Sequence, residues 1–252
     1  MDLSVVIPVK NEADNIAPLF EEIRVVLDDI ADYEVLFVDD GSEDATAAKV
    51  LQLAGDPQRW RLLCHAKSYG QSAAIHTGVK AARGLWIATL DGDGQNDPAD
   101  IPKLLDLVDV SSPSLRLLVA GYRENRQDSW WRRSASRIAN SVRSHLLGDG
   151  TPDTGCGLKV FPRSLFLDLP SFDHMHRFLP ALVLREGGTV RSVPVNHRPR
   201  PRGVSKYGVL DRLGVGIIDL FGVMWLQRRA ARPHLLDEMP NEARASPPSA
   251  AA

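Results

Sequence analysis

The hydrophobic positions of the first 110 residues fall into short β-branched runs separated by longer amphipathic stretches. This alternation is typical of repeated βα units on a mainly parallel sheet. The short runs predict strands at Leu3–Pro8, Tyr33–Asp39, Arg61–His65 and Leu85–Leu90. The stretches between them predict helices at Asp14–Ile30, Glu43–Ala54 and Tyr69–Ala82. We therefore predict the α/β fold class, with a Rossmann-like domain.

The alternation continues less regularly beyond Pro98. The pattern predicts a helix to about Val108, a strand at Leu115–Ala120, a helix at Trp130–Leu147, then a hydrophobic strand, two helices and a strand at Thr189–Val195. The segment His197–Arg202 alternates proline and arginine. Because proline lacks an N–H donor for a strand ladder, we expect a loop there.

The last apolar segment, Tyr207–Arg229, predicts a helix. Within it, the 14 residues of Leu213–Leu226 contain one charge, Asp219, and a membrane-spanning helix needs roughly 20 apolar residues. An amphipathic helix in the membrane interface is therefore the favoured interpretation, helped by the flanking Arg228, Arg229 and Arg232. A helix packed on the main domain or at a dimer contact would give the same pattern. The expected division is a main domain at 1–206, an interface helix at 207–232 and a disordered tail at 233–252.

Cysteine usage and the N-terminus indicate the compartment. The two cysteines, Cys64 and Cys156, lie in unrelated segments and offer neither a disulfide framework nor a Cys-x-x-Cys zinc site. Met1 leads directly into the first strand, without the basic start and long apolar run of a secretory signal. We therefore expect a protein that stays inside the cell, in a reducing compartment.

The net charge of −2 conceals an asymmetry along the chain. Residues 1–110 carry 9 Lys or Arg and 20 Asp or Glu, whereas residues 111–232 carry 20 and 9. An acidic half suits a cation, and a basic half suits phosphates. Nucleic acid is disfavoured as a partner, because the arginines are scattered and have no interleaved aromatic residues.

The segment Asp91–Gln95, Asp-Gly-Asp-Gly-Gln, directly follows a predicted strand. Two carboxylates and an amide oxygen on a tight turn are hard ligands that suit Mg²⁺ or Mn²⁺, and such an ion would neutralise a nucleotide diphosphate. The alternative is an acidic turn that caps the helix near Pro98. A calcium loop of EF-hand type is excluded, because the following residues do not extend its ligand pattern to a closing Glu.

A second polar segment, Asp39–Ser42, also stands at the end of a predicted strand. Its carboxylates can accept hydrogen bonds from base N–H or ribose hydroxyl groups, while Ser42 is alternatively the N-cap of the next helix. Ligands of open α/β sheets bind beyond the carboxyl ends of the strands. We therefore expect Pro8–Glu12, Asp39–Ser42 and Asp91–Asp93 to converge at one rim.

Six segments, taken in order and spacing, resemble the motifs of a known family: Val6–Glu12, Val38–Ser42, Asp91–Gln95, Gly121–Arg123, Asp153–Lys159 and Arg200–Lys206. The first three resemble family 2 glycosyltransferases of GT-A type. The last three are similar to the dolichyl-phosphate mannosyltransferase branch, which includes bacterial undecaprenyl-phosphate glycosyltransferases. The resemblance covers about residues 3–210. It implies a GT-A domain that uses a nucleotide sugar, Mg²⁺ or Mn²⁺, and a polyprenyl phosphate lipid.

The resemblance also implies roles for individual residues. The metal ligands would be Asp91, Asp93 and Gln95. The nucleotide sugar would be bound by Pro8, Lys10, Glu12, Val38, Asp40, Asp91, Gly92, Asp93 and Arg123. The acceptor phosphate would be held by Arg133, Arg200, Ser205 and Lys206. The candidate catalytic residues are Asp93, Arg123 and Asp153, of which Asp153 would either orient an arginine or contact the sugar.

The expected reaction is a single displacement with inversion at the anomeric carbon. A lipid phosphate is already anionic at neutral pH, since its second ionisation has a pKa of about 6, and it therefore needs no strong general base. We expect GDP-mannose as the donor and dolichyl or undecaprenyl phosphate as the acceptor. The alternatives are a UDP-sugar donor, a saccharide hydroxyl as acceptor, and a non-catalytic nucleotide-sugar-binding scaffold.

Two features depart from the family pattern. Many bacterial relatives carry two membrane-spanning helices after the pair Ser205-Lys206, whereas this chain has the short segment described above. Lys10 stands where relatives often have an aromatic residue, so the nucleotide base is left open. The expected location is the cytoplasmic face of the membrane, as a peripheral protein bound to the membrane surface. A separate integral membrane protein is a further candidate partner.

Overall fold

The computed structural model describes residues 1–53, 58–109, 116–123, 143–199 and 209–231. Most of the helix predicted at Trp130–Leu147 lies outside the described residues, but its last part, residues 143–147, is helical. The tail predicted at 233–252 also lies outside them.

Seven strands of the described residues form one sheet, in the order β3-β2-β1-β4-β6-β5-β7. They are β1 Leu3–Val9, β2 Tyr33–Asp39, β3 Trp60–Cys64, β4 Trp86–Thr89, β5 Leu117–Arg123, β6 Lys159–Pro162 and β7 Thr189–Val195. Only β6 is antiparallel to its neighbours, β4 and β5, among these strand pairs. The predicted α/β class with a mainly parallel sheet is confirmed.

The described helices cover both faces of the sheet. They are α1 Ala13–Leu27, α2 Thr46–Leu51, α3 Gln71–Ala81, α4 Ile101–Leu105, α5 at residues 143–147, α6 Arg163–Asp168, α7 Leu179–Arg185 and α8 Val209–Arg228. Single 3-10 turns occur at Pro98–Asp100 and Met175–Arg177. The strands predicted at Tyr33–Asp39 and Thr189–Val195 have these bounds, and the other predicted elements are shifted by a few residues.

The largest shift concerns α2, which was predicted at Glu43–Ala54 and begins at Thr46. The preceding turn is bonded to the loop after β1 instead. The N–H of Glu43 donates to Asn11 Oδ1 at 2.8 Å, and the side chain of Asp44 accepts from the N–H of Thr46 at 2.9 Å. Polar side chains that compete for backbone donors in this way delay the start of a helix.

Two hydrophobic layers hold the sheet. Alternate residues of a strand point to opposite faces, so Val5 and Ile7 of β1 pack with α1, whereas Val6 packs with α3. In α1 the buried residues Ile16, Leu19, Phe20, Ile23 and Leu27 recur at helical spacing and form one apolar stripe. Because the central strands are buried on both faces, they appear in the sequence as continuous apolar runs.

Helix α8 has two different apolar faces. Val223 is fully buried, and Leu220, Met224 and Leu226 pack partly buried against the same core. Its opposite side exposes four large apolar residues, Ile217, Ile218, Phe221 and Trp225. Within the part of the chain that the structure describes, no helix combines the length and apolarity needed to cross a bilayer. The packing of α8 on the main domain, one of the two sequence interpretations, is thus observed, and the helix also presents a second apolar face outward. The interpretation as an interface helix stays a prediction.

Candidate active site

The carboxyl ends of β1, β2, β4 and β5 meet at one rim of the sheet, as expected for strands that point the same way. The N–H of Asp40 donates to the carbonyl of Val9 at 2.9 Å, and the N–H of Leu90 donates to that of Val6 at 3.2 Å. Because β6 runs in the opposite direction, its first residue, Lys159, stands at this rim too. The predicted convergence of the polar segments is confirmed.

A cavity of about 410 Å³ opens at this rim. Its polar lining includes residues from the ends of β4 and β5, the start of β6 and the turn Met175–Arg177: Asp91, Arg123, Lys159, His176 and Arg177. Three cationic side chains thus surround one carboxylate. Such a cavity attracts an anionic ligand.

Asp91 lies against the wall of the cavity, where its charge is disfavoured. Burial raises its pKa to about 6, and the nearby charge of Asp93 adds to this effect. Its Oδ1 accepts a hydrogen bond from Gln71 Nε2 at 2.7 Å. On the other side, a Cβ at Gly157 would overlap the Asp91 carboxylate. The position therefore requires glycine if Asp91 is to occupy this place.

The segment Asp91–Gln95 forms a tight turn. Asp93 Oδ1 accepts from the N–H of Gln95 at 3.1 Å, and Gly94 has a left-handed backbone with φ of 73°. The 3-10 turn at Pro98 is capped by another residue, Asp97, whose side chain accepts from the N–H of Ala99 at 3.0 Å. Asp91 and Asp93 are thus not the cap, which excludes the structural alternative for this segment.

The donor set of this turn fits a divalent cation. Magnesium at nucleotide sites is usually bound by one or two carboxylates together with substrate phosphates. Asp91, Asp93 and the amide oxygen of Gln95 offer such a set, and a cation would offset both causes that raise the pKa of Asp91. Among the described residues, no group of three or more His, Cys, Asp and Glu side chains forms a metal site.

Arg123, the last residue of β5, makes a bidentate ion pair with Asp153. Its Nε and Nη2 lie 2.6 and 2.9 Å from the two carboxylate oxygens. Although burial lowers the pKa of Arg123, the hydrogen bond and charge of Asp153 raise it overall. The guanidinium is thus held charged and oriented at the cavity wall. In this structure Asp153 orients an arginine, which is one of the two roles expected for it.

Asp40 is largely used to shape the loop after β3. Its carboxylate accepts hydrogen bonds from Ser68 Oγ at 2.7 Å and from the N–H groups of Tyr69 and Gly70 at 2.8 Å, and it lies 2.8 Å from His65 Nδ1. Burial alone would raise the pKa of Asp40, but these hydrogen bonds lower it overall. A nucleotide that contacts Asp40, as expected, would therefore share this carboxylate with its four present partners.

The neighbouring Gly41 allows that loop to approach. Its backbone is left-handed, with φ of 70°, and a Cβ would come within 2.6 Å of the backbone carbon of Lys67. Ser42 accepts from the N–H of Asn11 at 2.9 Å, whereas the residue at the N-cap of α2 is Ala45. The interpretation of Ser42 as a helix cap is therefore wrong.

The other residues expected at the nucleotide differ in exposure. Pro8 lines the cavity, and Lys10 and Glu12 are half-buried in the loop after β1. Glu12 Oε2 accepts from Asn15 Nδ2 at 2.7 Å. The side chain of Val38 is fully buried and packs against α3, so it is not available to a ligand. Gly92 packs against Val9, where a Cβ would come within 2.6 Å of Cγ1.

Two further side chains, Lys159 and His176, complete the cavity. Lys159 is 3% exposed, and its Nζ donates to the carbonyls of Thr154 and Cys156. Burial lowers the pKa of Lys159. His176 Nδ1 lies 2.7 Å from Ser72 Oγ, and burial lowers the pKa of His176 well below its ordinary value. His176 is therefore a neutral imidazole at neutral pH.

A family model described as glycosyl transferase family 2 matches residues 4–169. The chain belongs to this family. The predicted family is therefore confirmed, and the site at the rim is the candidate active site of a glycosyltransferase.

Relatives of this glycosyltransferase have names that specify lipid phosphates. It is 37% identical over 238 residues to a dodecaprenyl-phosphate galacturonate synthase of Rhizobium johnstonii, covering 92% of this chain and 69% of the relative. It is 34% identical over 215 residues to an undecaprenyl-phosphate 4-deoxy-4-formamido-L-arabinose transferase of Edwardsiella ictaluri, covering 84% and 65%. The chain thus spans about two thirds of the length of these relatives.

Solved structures share the fold at low sequence identity. Mannosyl-3-phosphoglycerate synthase from Rubrobacter xylanophilus has a TM-score of 0.69 at 17% identity, with 96% of this chain and 80% of that chain covered. Glucosyl-3-phosphoglycerate synthase from Mycobacterium tuberculosis, in complex with Mn²⁺, UDP and phosphoglyceric acid, has a TM-score of 0.62 at 19% identity, with 92% and 80% covered. The GT-A type fold predicted for the glycosyltransferase is confirmed.

Sequence reasoning assigned no role to several polar residues that line this cavity, among them Gln71, Lys159, His176 and Arg177, although Lys159 ends one of the motif segments. A lysine at the start of a strand reads as a surface charge, and a 3-10 turn between apolar runs has no period that marks its inward side chains. One usable signal was present. Gly155 and Gly157 flank Cys156, and closely spaced glycines often mark a place where another chain segment or a ligand approaches the backbone.

The residues expected at the acceptor phosphate lie outside the described residues: Arg133, Arg200, Ser205 and Lys206. The chain just before Arg200 is described. The N–H of Arg198 donates to the carbonyl of Gln95 at 3.0 Å, and His197 pairs with Asn96 in a β-bridge. The glycosyltransferase chain therefore enters the Arg200–Lys206 segment from beside the candidate metal ligands.

Proposed function

We propose that this glycosyltransferase moves one sugar from a nucleotide sugar to a polyprenyl phosphate. The similarity to a dodecaprenyl-phosphate galacturonate synthase over 92% of the chain carries the proposal. A second relative, named for an undecaprenyl phosphate acceptor, supports the same class of acceptor with a different sugar. A polyprenyl phosphate is therefore the common feature, and the sugar varies between relatives.

The chemistry of the cavity supports a phosphate acceptor. A lipid phosphate is anionic at neutral pH and needs no strong general base. Asp153, the carboxylate that would otherwise be considered as a base, is occupied by the guanidinium of Arg123. A transferase acting on a saccharide hydroxyl would need a carboxylate free to accept its proton. The ion pair therefore favours the phosphate over the hydroxyl.

We assign the expected roles in an inverting, in-line displacement. Arg123 stabilises the departing diphosphate, because a fixed guanidinium stabilises developing phosphate charge without reorganisation. Asp91, Asp93 and Gln95 would hold Mg²⁺ or Mn²⁺, which would supply positive charge to neutralise the same diphosphate. Arg200 and Lys206, together with Arg133 and Ser205, hold the incoming phosphate, as the family resemblance implies.

The donor sugar is the least defined part of the proposal. The first expectation was GDP-mannose as donor with dolichyl or undecaprenyl phosphate as acceptor, and the alternative was a UDP-sugar with undecaprenyl phosphate. The names of the relatives specify galacturonate and 4-deoxy-4-formamido-L-arabinose, and dodecaprenyl and undecaprenyl carriers. These names favour undecaprenyl phosphate over dolichyl phosphate. We therefore place a bacterial polyprenyl phosphate first as the acceptor and treat the nucleotide as open.

We propose that α8 holds the protein on a membrane surface. Its outward face combines Ile217, Ile218, Phe221 and Trp225 with the exposed arginines at 228 and 229. Apolar residues that enter the acyl boundary beside cationic residues that meet anionic headgroups are typical of an interfacial helix. A peripheral position on the cytoplasmic face would bring the cavity near the lipid phosphate. A separate integral membrane protein remains a candidate partner of this face.

The experiment that tests the function is a donor panel with product analysis. The purified full chain is incubated with Mn²⁺, undecaprenyl phosphate and a series of UDP- and GDP-sugars, and the lipid fraction is analysed by mass spectrometry. We expect one glycosyl phospholipid and no product with Asp93→Ala, which should retain the wild-type fold. Nucleotide binding without turnover of any donor would favour the scaffold interpretation. Full activity of Asp93→Ala would contradict the metal assignment.

A further inference from the structure

The turn Met175–Arg177 supplies two polar side chains of the cavity, His176 and Arg177. Met175 and Phe178 anchor it in the core. From one side, α3 holds the turn through Ser72, whose Oγ lies 2.7 Å from His176 Nδ1 and accepts from the N–H of His176 at 3.2 Å. Both contacts join Ser72 to His176. A movement of the turn relative to α3 would therefore displace His176.

From the other side, the turn is held by α8. His174, directly before the turn, has a left-handed backbone with φ of 61°, a conformation that non-glycine residues rarely adopt. Its Nδ1 lies 3.2 Å from Oδ2 of Asp219 on α8. Its Nε2 lies 3.7 Å from Asp173, a more exposed carboxylate on the same loop. Asp219 is therefore the group that links this strained residue to another element.

The sequence context of Asp219 supports a specific role. It is the single charge in the apolar run Leu213–Leu226, and its side chain is only 18% exposed. A carboxylate largely removed from water costs free energy unless it is paired and hydrogen-bonded. The docking of α8 has other contacts, since Gln227 Nε2 donates to the carbonyl of Leu147 at 2.9 Å and Arg185 Nε donates to that of Leu226 at 3.0 Å.

We propose that Asp219 is a positioning residue for the cavity, an inference that rests on the proposed glycosyl transfer. Through His174 it fixes the turn Met175–Arg177, so that His176 and Arg177 face the bound nucleotide sugar. Asp219 touches no substrate. One face of α8 thus positions residues of the cavity, while its opposite face exposes the apolar residues. A movement of α8 would therefore change the cavity.

The test compares substitutions near the middle and at the end of α8. Asp219→Ala removes the link to His174, whereas Gln227→Ala removes docking contacts to the carbonyls of Leu147 and Ala181. With undecaprenyl phosphate saturating, we expect Asp219→Ala to raise the KM for the nucleotide sugar about tenfold, because small misplacements of positioning groups are amplified in binding and rate. Gln227→Ala should lower the Tm about as much as Asp219→Ala does, and it should keep the wild-type KM.

Conservative and double substitutions separate positioning from folding. Asp219→Asn should recover part of the affinity, because its amide oxygen can still accept from His174. His174→Ala should match Asp219→Ala, and the double variant should be no worse than either one, since both act through the same contact. If Asp219→Ala does not fold, Asp219→Asn and His174→Ala carry the comparison.

Three outcomes are distinguishable when Mn²⁺-dependent binding of UDP-galacturonic acid, UDP-glucose and GDP-mannose is also measured by calorimetry. A wild-type chain that neither binds nor turns over any of them contradicts the proposed function, and this inference falls with it. A functional wild type with unchanged KM and binding in Asp219→Ala and His174→Ala overturns the inference alone. An equal rise in KM for Gln227→Ala also overturns it, because general docking of α8 would then explain the effect.

Discussion

Asp91 occupies a position that disfavours its negative charge, and a bound cation would stabilise that charge. Burial and the nearby Asp93 raise its pKa to about 6, above the value of about 4 in an unfolded chain. Between pH 4 and 6, therefore, the unfolded chain loses this proton while the folded chain keeps it. The contribution of Asp91 to stability falls as the pH rises through this window and stays unfavourable above pH 6.

We therefore expect Asp91→Asn to stabilise the metal-free protein at pH 7.5 by about 1–2 kcal/mol. The gain should disappear at about pH 3, where both states of the wild type carry the proton. Mn²⁺ should raise the Tm of the wild type at pH 7.5, and it should raise the Tm of Asp91→Asn much less. Thermal unfolding at the two pH values, with and without Mn²⁺, measures this. An Asn variant that is less stable at pH 7.5 would contradict the account.

Gly157 makes room for the same carboxylate. A Cβ at this position overlaps the Asp91 carboxylate, so Gly157→Ala should displace it and weaken Mn²⁺ binding by roughly tenfold or more. Gly222→Ala is a suitable control, because nothing lies within 4 Å of its added Cβ and alanine favours a helix. Calorimetric titration with Mn²⁺ and UDP compares the two. Unchanged metal affinity in Gly157→Ala would show that Asp91 can move without loss.

At the scale of the element, α8 presents an apolar surface that the domain does not cover. Replacing Ile218, Phe221 and Trp225 by serine should reduce binding to vesicles of phosphatidylethanolamine and phosphatidylglycerol by more than about tenfold, because burying each large apolar side chain contributes about 1.5–3 kcal/mol. The fold should be unaffected, since these side chains face outward.

The matched control replaces Val25 and Leu51, which are exposed apolar residues on α1 and α2, by serine. This variant should float with vesicles as the wild type does. Equal flotation of the α8 variant and the wild type would exclude this face as the membrane contact. A loss of self-association instead of flotation would indicate a dimer surface.

The elements themselves were largely predictable from the sequence, and their contacts were only partly so. Central strands buried on both faces give apolar runs that any chain of this fold must contain, which is why β2 was predicted with its observed bounds. Strand β7 lies at the edge of the sheet and is largely exposed, and its bounds were indicated instead by the β-branched residues of Thr189–Val195. The insertion of β6 between β4 and β5 brings Lys159 to the rim. That placement depends on contacts between distant segments, for which local periodicity has no signal.

The candidate site was likewise only partly predictable from the sequence. Asp91–Gln95 was found because it follows a strand, and the ends of parallel strands meet at one rim. Arg123 was identified by the family resemblance of Gly121–Arg123. Ser72 and His176, 104 positions apart, are brought together only by the packing of α3 against the turn Met175–Arg177. The burial of Val38 against α3 also depends on tertiary packing, which the pattern of its strand does not specify.

At the scale of the whole molecule, the acidic first part and the basic second part of the sequence contribute side chains of opposite charge to one rim. The acidic first part contributes Asp91 and Asp93, which suit a cation, and the basic second part contributes Arg123, Lys159 and Arg177, which suit phosphates. The proposed transfer between two phosphate-bearing substrates needs both. We therefore propose that the protein recognises the acceptor by its phosphate.

Recognition of the acceptor phosphate is tested with two acceptors that differ only in that phosphate. Wild-type protein is given the best donor and Mn²⁺ together with either undecaprenyl phosphate or undecaprenol, which lacks the phosphate, and the lipid products are identified by mass spectrometry. We predict a glycosyl phosphate product with the first lipid, no product with the second, and loss of the product on metal chelation. Equal glycosylation of undecaprenol, or transfer to a saccharide hydroxyl in preference to the lipid phosphate, would contradict the account.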